Sequence, residues 1–149
     1  MKNPPAIMPL LMKLRCCCED NQREACDLVG LSMSEFAGLS ALETGEKIAG
    51  AELAARVRLS PSRCSRVIDR MVDRGLVSRE QCPNDRRAIR VSLTTQGAKL
   101  KRNLGDQMAA CERKILAKLT ADQIRDVVRC LNILLEATHG ESDESAETK

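Results

Sequence analysis

Between Ser60 and Thr94 the apolar spacing changes from a helical period to a strict alternation, and the change falls at one glycine. Ser60 followed by Pro61 is a helix start, because serine suits the cap and proline pre-sets φ for the first helical residue. Cys64, Val67, Ile68 and Met71 then recur at i, i+3, i+4 and i+7 on one face of a helix that runs through Arg74 and is closed by Gly75. From Leu76 the residues alternate. Pro83-Asn84-Asp85 is turn chemistry, and Ile89, Val91 and Leu93 point to one side, so the segment reads as a hairpin with a long basic tip. A capped amphipathic helix running directly into a basic hairpin leaves few folds open.

The flanking elements narrow them further. A first helix is expected from about Leu10 to Leu28, on the spacing of Leu10, Leu14, Cys17 or Cys18, Ala25 and Leu28, with Gly30 as its stop. Ser32-Met33-Ser34-Glu35 has the form of a capping box, and Leu31 with Phe36 has the spacing of a hydrophobic staple. They start a second helix from Met33 to about Glu43, ending at Gly45. A short third helix covers Ala51 to Val57. Thr94 or Thr95 caps a fifth with the stripe Leu100, Leu104, Met108, Cys111 and Ile115, and Thr120 caps a sixth carrying Ile124, Val127, Val128, Leu131, Leu134 and Leu135. After Gly140 nothing apolar remains, and a disordered acidic tail is expected.

Net charge of +3 conceals an asymmetry. From Lys47 to Arg102 there are 14 basic and five acidic residues, and the remainder of the chain holds 10 basic and 16 acidic ones. A segment of +9 between flanks of −6 implies a polyanion partner, against the plain alternative of a solvated surface. On the capped helix, Arg63, Arg66 and Arg70 fall within about 60° of one another, opposite the apolar face. Phosphates or guanine edges would match such a stripe. The competing reading pairs these arginines with Asp69 and Asp73 along the helix.

Other classes are excluded or disfavoured. With 149 residues the chain is one ordinary domain or one subunit of a small oligomer, and its longest uncharged run is far short of the roughly 20 residues of a membrane span. Trp and Tyr are absent and Phe36 is the single aromatic, which removes mechanisms based on aromatic stacking or a phenolic hydroxyl. One histidine, His139, sits beside the acidic tail and supplies no positioned base, and no phosphate loop or metal motif occurs, so neither catalysis nor a cofactor is expected. Prolines 4, 5 and 9 interrupt the apolar start, no signal-peptide cleavage site follows, and a cytoplasmic protein with reduced thiols is expected.

Short helix, tight turn, Ser-Pro-capped helix and basic hairpin follow one another in the order of a winged helix-turn-helix. The stretch from Leu31 to Leu100, with LSPSRCSRVIDRMVDRGLV, the wing NDRRAIRVSLT and the following TTQG, resembles the MarR family of bacterial transcriptional regulators. The resemblance implies a mainly α fold with a small β-hairpin wing. Residues 1–30 would form an N-terminal dimerisation helix, 31–96 the DNA-binding domain, 97–139 the C-terminal dimerisation helices and 140–149 the tail. It implies a homodimer on a pseudo-palindromic operator, probing double-stranded DNA with Ser62, Arg63, Ser65 and Arg66 besides the Arg70 of the same stripe. Arg86 or Arg87 at the wing tip would enter a minor groove, with Asp85 as buttress. A repressor released by a small-molecule ligand, or by a thiol or metal signal, is the function expected; a winged-helix protein-interaction module is the alternative.

The eight cysteines form no pair of CxxC knuckles. Cys64, Cys111 and Cys130 lie on apolar stripes and read as small packing residues. Cys82 opens the arginine-rich wing, where positive charge favours a thiolate. Cys16, Cys17 and Cys18 point about 100° apart on one helix and cannot share an ion without distorting it. With Cys26 they are candidates for redox or metal sensing. Peroxide-sensing members of the family orient their thiol with tyrosine hydroxyls, which this chain lacks.

Overall fold

The computed structural model describes residues 6–82 and 85–139, without the side chains of 82, 85–87 and 139. The elements in chain order are α1 (Ile7–Val29), α2 (Met33–Ala41), β1 (Ile48–Ala49), α3 (Gly50–Arg56), α4 (Pro61–Asp73), β2 (Val77–Cys82), β3 (Asp85–Leu93), α5 (Thr95–Leu116) and α6 (Ala121–His139). The chain is mostly helical, with one small antiparallel sheet in the order β1-β3-β2. It divides into two compact units, residues 1–108 and 109–149. No helix among the described residues is long and apolar enough to cross a membrane. The acidic tail lies outside the described residues.

Local chemistry sets most boundaries of the first unit. Gly30 ends α1 at φ 66°, a left-handed conformation in which its N–H and that of Leu31 close back on Asp27 and Cys26. The expected capping box starts α2: the Glu35 amide donates to the Ser32 hydroxyl at 3.2 Å, and the Ser32 amide to the Glu35 carboxylate at 2.8 Å. Ser60 occupies the cap position of α4 with Pro61 after it, but its hydroxyl makes no capping bond and lies 3.4 Å from that of Ser62. Proline's fixed φ starts this helix without side-chain help.

The core of the unit is aliphatic. Leu39, Leu42, Leu53, Ile68, Met71, Leu76 and Val91 are fully buried, and Phe36 only partly covers them. Without large rings to fill space, aliphatic side chains seat directly on glycines. A Cβ on Gly38 of α2 would stand 3.0 Å from Met71 Cε of α4, and one on Gly50 would stand 2.9 Å from Ile89 Cγ1 of β3. The short strand β1, which no alternation in the sequence announces, pairs Ile48 with Val91 and Ala49 with Arg90. It joins the start of α3 to the hairpin. In β2 and β3, Arg79 faces Val91 and Ser78 faces Ser92, with hydroxyl oxygens 2.8 Å apart, and the register slips at Gln81 and Cys82.

Helix α1 has the predicted span within a turn, and of the stripe read on it only Ala25 is buried. Ala25 and Cys26 enter the core, whereas Leu10, Leu14, Cys17 and Leu28 are exposed. In the second unit the expected stripe of α6 is also uncovered. Ile124 and Leu134 are half-exposed, and Val127, Val128 and Leu131 are exposed. The hydroxyl of Thr120 accepts from the Gln123 amide at 3.2 Å and Gln123 answers at 2.8 Å, which is the start read for this helix.

Thr94 and Gly97 make the entry to α5. Thr94 Oγ1 accepts from the Gly97 amide at 3.0 Å and donates to the Gly75 carbonyl at 2.6 Å. A Cβ on Gly97 would overlap the carbonyl of Leu76, a backbone atom that cannot rotate away. Helix propensity favours alanine over glycine by about 1 kcal/mol. We nevertheless expect Gly97→Ala to destabilise by about 3 kcal/mol, read as a lower urea midpoint; a midpoint raised or unchanged refutes the close contact.

Glu35 is the buried carboxylate of the unit. Burial pushes its pKa up, but the Ser32 hydrogen bonds and the charges of Arg74 and Arg70 outweigh this and hold it below the usual 4.5. A depressed carboxylate adds stability that is complete above its unfolded value and lost as pH falls through its folded one. Glu35→Gln is therefore expected to cost about 1 kcal/mol near neutrality. In urea unfolding the gap to the native chain closes below about pH 4.5; a gap constant with pH contradicts the assignment.

Candidate nucleic-acid interface

Helix α4 divides cleanly. Cys64, Val67, Ile68 and Met71 are buried on one side beside Leu53 and Ala54 of α3. Burial of an apolar side chain of this size stabilises by roughly 2 kcal/mol, so the orientation of α4 about its own axis is fixed by its core face. The other side carries Ser62, Arg63, Arg66, Asp69 and Arg70, all exposed, with Ser65 half-buried at the edge.

Of the two carboxylates that the competing reading pairs with this stripe, Asp73 forms no ion pair among the described residues and Asp69 is turned elsewhere. Asp69 accepts from Arg79 Nη1 of β2 at 2.6 Å, so it ties α4 to the hairpin and not to the arginines of its own helix. Among the described residues Arg63, Arg66 and Arg70 make no hydrogen bond and no ion pair. Arg70 is near enough to Glu35 for its charge to help keep that carboxylate ionised.

The other cations of the basic segment separate into the same two classes. Lys47 donates to both oxygens of Glu80 at 2.9 Å and pins β2 from the loop before β1. Arg56 holds Glu46 at 2.7 Å, Glu52 at 2.7 Å and the Ala41 carbonyl at 3.0 Å. Its hydrogen bonds lower the Glu46 carboxyl to about 2 and raise its own guanidinium above the ordinary value. Lys101 of α5 donates to the Leu42 carbonyl at 2.5 Å, and Arg74 donates to the carbonyls of Gly30 and Val29 at 2.6 and 2.9 Å. With Arg79, these cations brace the fold. Arg58, Arg63, Arg66, Arg70, Arg90, Lys99 and Arg102 have no such partner among the described residues. Sequence counting could not separate the groups, because every brace reaches a partner 10 or more residues away.

At the wing tip the backbone of 85–87 continues β3. The side chains of Asp85, Arg86 and Arg87 lie outside the described residues. Between α4, the start of α3 and the wing is a cavity of about 410 Å³ lined by Gly50, Pro61, Ser65, Ile68, Arg79 and Ile89 among others. Its walls are mostly apolar, with Arg79 as the charged group.

The candidate sensor cysteines are not assembled. Cys16, Cys17 and Cys18 are exposed on α1, whereas Cys26 is buried and burial raises its thiol pKa. Among the described residues no group of three His, Cys, Asp or Glu side chains could hold a metal ion. Cys64 is buried as expected, with its thiol raised by burial, while Cys111 is half-buried and Cys130 exposed.

Comparison with known proteins agrees with this geometry. The MarR family profile matches residues 31–89. The HTH-type transcriptional repressor Rv2887 of Mycobacterium tuberculosis is 30% identical over 106 residues, covering 71% of this chain and 76% of that protein. Apo MarR from E. coli superposes with a TM-score of 0.77 at 22% identity, over 90% of this chain and 99% of its own. A mutant of the same E. coli protein in complex with operator DNA gives 0.69 at 23% identity, over 87% and 93%. NadR in complex with 4-hydroxyphenylacetate gives 0.67 at 19%, over 90% and 95%.

Proposed function

The chain belongs to the MarR family of transcriptional regulators, and we propose that it is a sequence-specific repressor that binds a pseudo-palindromic operator as a homodimer. The observation that carries the proposal is the row Arg63, Arg66 and Arg70 on the outer face of α4, unpaired among the described residues, with Asp69 engaged by Arg79 instead. Ser62 and Ser65 add hydroxyls to the same face, and Arg86 or Arg87, buttressed by Asp85, extends it along the wing. A protein-interaction module would instead present an apolar or acidic outer face on α4. The cytoplasm is where such a reader meets DNA.

The second subunit is assigned from the uncovered helices. Val127, Val128 and Leu131 on α6 and Leu10, Leu14 and Leu28 on α1 stand in solvent in a single chain. Such faces are covered most simply by their own copies across a two-fold axis. Release from DNA is assigned to a small ligand, for which the 410 Å³ cavity beside α4 offers apolar walls and one guanidinium. A thiol or metal signal is the second reading, favoured by three adjacent exposed thiols at Cys16, Cys17 and Cys18 and involving Cys26 behind them.

DNA affinity should fall with salt at a log–log slope of roughly 0.9 per phosphate contacted, and a flat response sinks the DNA reading. Arg66→Ala is expected to lose about 1–3 kcal/mol on the preferred sequence and less on random DNA; equal losses make it a phosphate contact. Repeating the titration after oxidant or metal, with serine at positions 16–18, separates the signals: unchanged release retires the thiol reading. Val128→Asp should convert a sedimenting dimer to a monomer at micromolar concentration, since a charge on each side of a two-fold contact is repelled and desolvated. A variant that stays dimeric removes α6 from the interface.

A further inference from the structure

Arg74 stands where three helices meet, and its side chain is occupied entirely by their ends. It is the C-cap residue of α4, and its own amide donates to the Arg70 carbonyl at 3.1 Å. Nη1 donates to the Gly30 carbonyl at 2.6 Å and Nη2 to the Val29 carbonyl at 2.9 Å, the last two carbonyls at the end of α1. Nη1 also lies 3.7 Å from Glu35 Oε1, the carboxylate that caps α2. The last carbonyls of a helix have no partner within it and carry its negative dipole end. Helix α1 has no basic residue in its own last turn. The cation it lacks is delivered by the recognition helix.

We propose that Arg74 is a positioning residue for DNA binding, which clasps the end of α1 to the end of the recognition helix so that the two move as one piece. The inference rests on the DNA reading above and goes beyond it. The planar fork suits two carbonyls side by side, so the clasp fixes direction as well as distance. Ser62, Arg63 and Arg66 are carried by the opposite end of α4 from this anchor, so any tilt of α4 about Arg74 displaces them most. Helix α1 carries the exposed apolar face of Leu10, Leu14 and Leu28. Whatever covers that face sets α1, and through Arg74 it sets the pitch of the reading residues. Linkage then requires the reverse: DNA held by α4 must steady the end of α1.

The test uses the full chain and a duplex selected by the native protein from a random-sequence pool. In the native protein, duplex binding should slow amide hydrogen exchange at Gly30, Leu31 and Ser32, none of which belongs to the outer face of α4. Arg74→Lys keeps the charge and loses the fork. It should bind the duplex about tenfold more weakly, with the salt slope unchanged and the exchange protection at residues 30–32 lost. Arg74→Met, which keeps the aliphatic stem, should behave alike, and unfolding curves of both verify that they are folded. Native affinity in both folded variants overturns the proposal. So does a salt slope reduced by about 0.9, which would make Arg74 a phosphate contact. If the native protein selects no duplex at all, the DNA reading falls first and the clasp loses its role with it.

Discussion

Where α2 crosses α4, Met71 lies against Gly38, and the rest of the reader depends on that closeness. A chain with a single phenylalanine has no large rings with which to bridge between helices. Its core is closed by seating neighbouring groups directly on positions without a side chain. Gly38 does this between α2 and α4, Gly50 between α3 and β3, and Gly97 between α5 and Leu76. At Gly38 and Gly50 a side chain, Met71 or Ile89, takes the space a Cβ would fill, and at Gly97 the Leu76 carbonyl does. The outward direction of Arg63, Arg66 and Arg70 follows from the burial of Cys64, Val67, Ile68 and Met71.

Charge is organised by the same economy of space. Exposed ion pairs are worth at most about 1 kcal/mol each, so Lys47–Glu80 and Asp69–Arg79 add little to stability. Their effect lies in what they occupy. By engaging Asp69, Arg79 removes one of the two carboxylates that could have quenched the arginine stripe on α4. Arg74 and Lys101 act differently, since each donates to backbone carbonyls at a helix end, where the acceptor has no other partner in the helix. They bracket α2: one beside Glu35 at its start, the other on Leu42 at its close.

What the sequence made legible follows the range of the interaction. The capping box at Ser32 and Glu35, the stop at Gly30, the Thr94 and Thr120 starts and the amphipathic face of α4 are decided within a few residues, and each was readable from spacing. Strand β1 was not, because two residues carry no alternation and Ile48 becomes a strand only by pairing with Val91. The stripe read on α1 is a related case. Its stripe Leu10, Leu14 and Leu28 is the stronger pattern, and a wheel cannot tell a face that meets its own core from one left uncovered. The partners of Asp69, Arg74 and Lys101 lie across the fold. Of the candidate DNA contacts, the stripe Arg63, Arg66 and Arg70 comes from the helical wheel, whereas Ser62, Ser65 and the wing group Asp85, Arg86 and Arg87 rest on resemblance.

The uncovered faces and the reading face constrain each other on the homodimer reading. A two-fold axis beside paired α1 helices would place two copies of α4 at one fixed separation and in opposite directions. Such a pair can read only a site whose halves repeat with inverted sense at matching spacing along the duplex. A signal need not then reach the arginines themselves. Displacing α1 by a small amount alters the separation, and a mismatch of either half with its groove costs both sets of contacts at once. An aliphatic core closed at three glycines suits this arrangement, because close packing transmits a shift of one helix to its neighbour without slack.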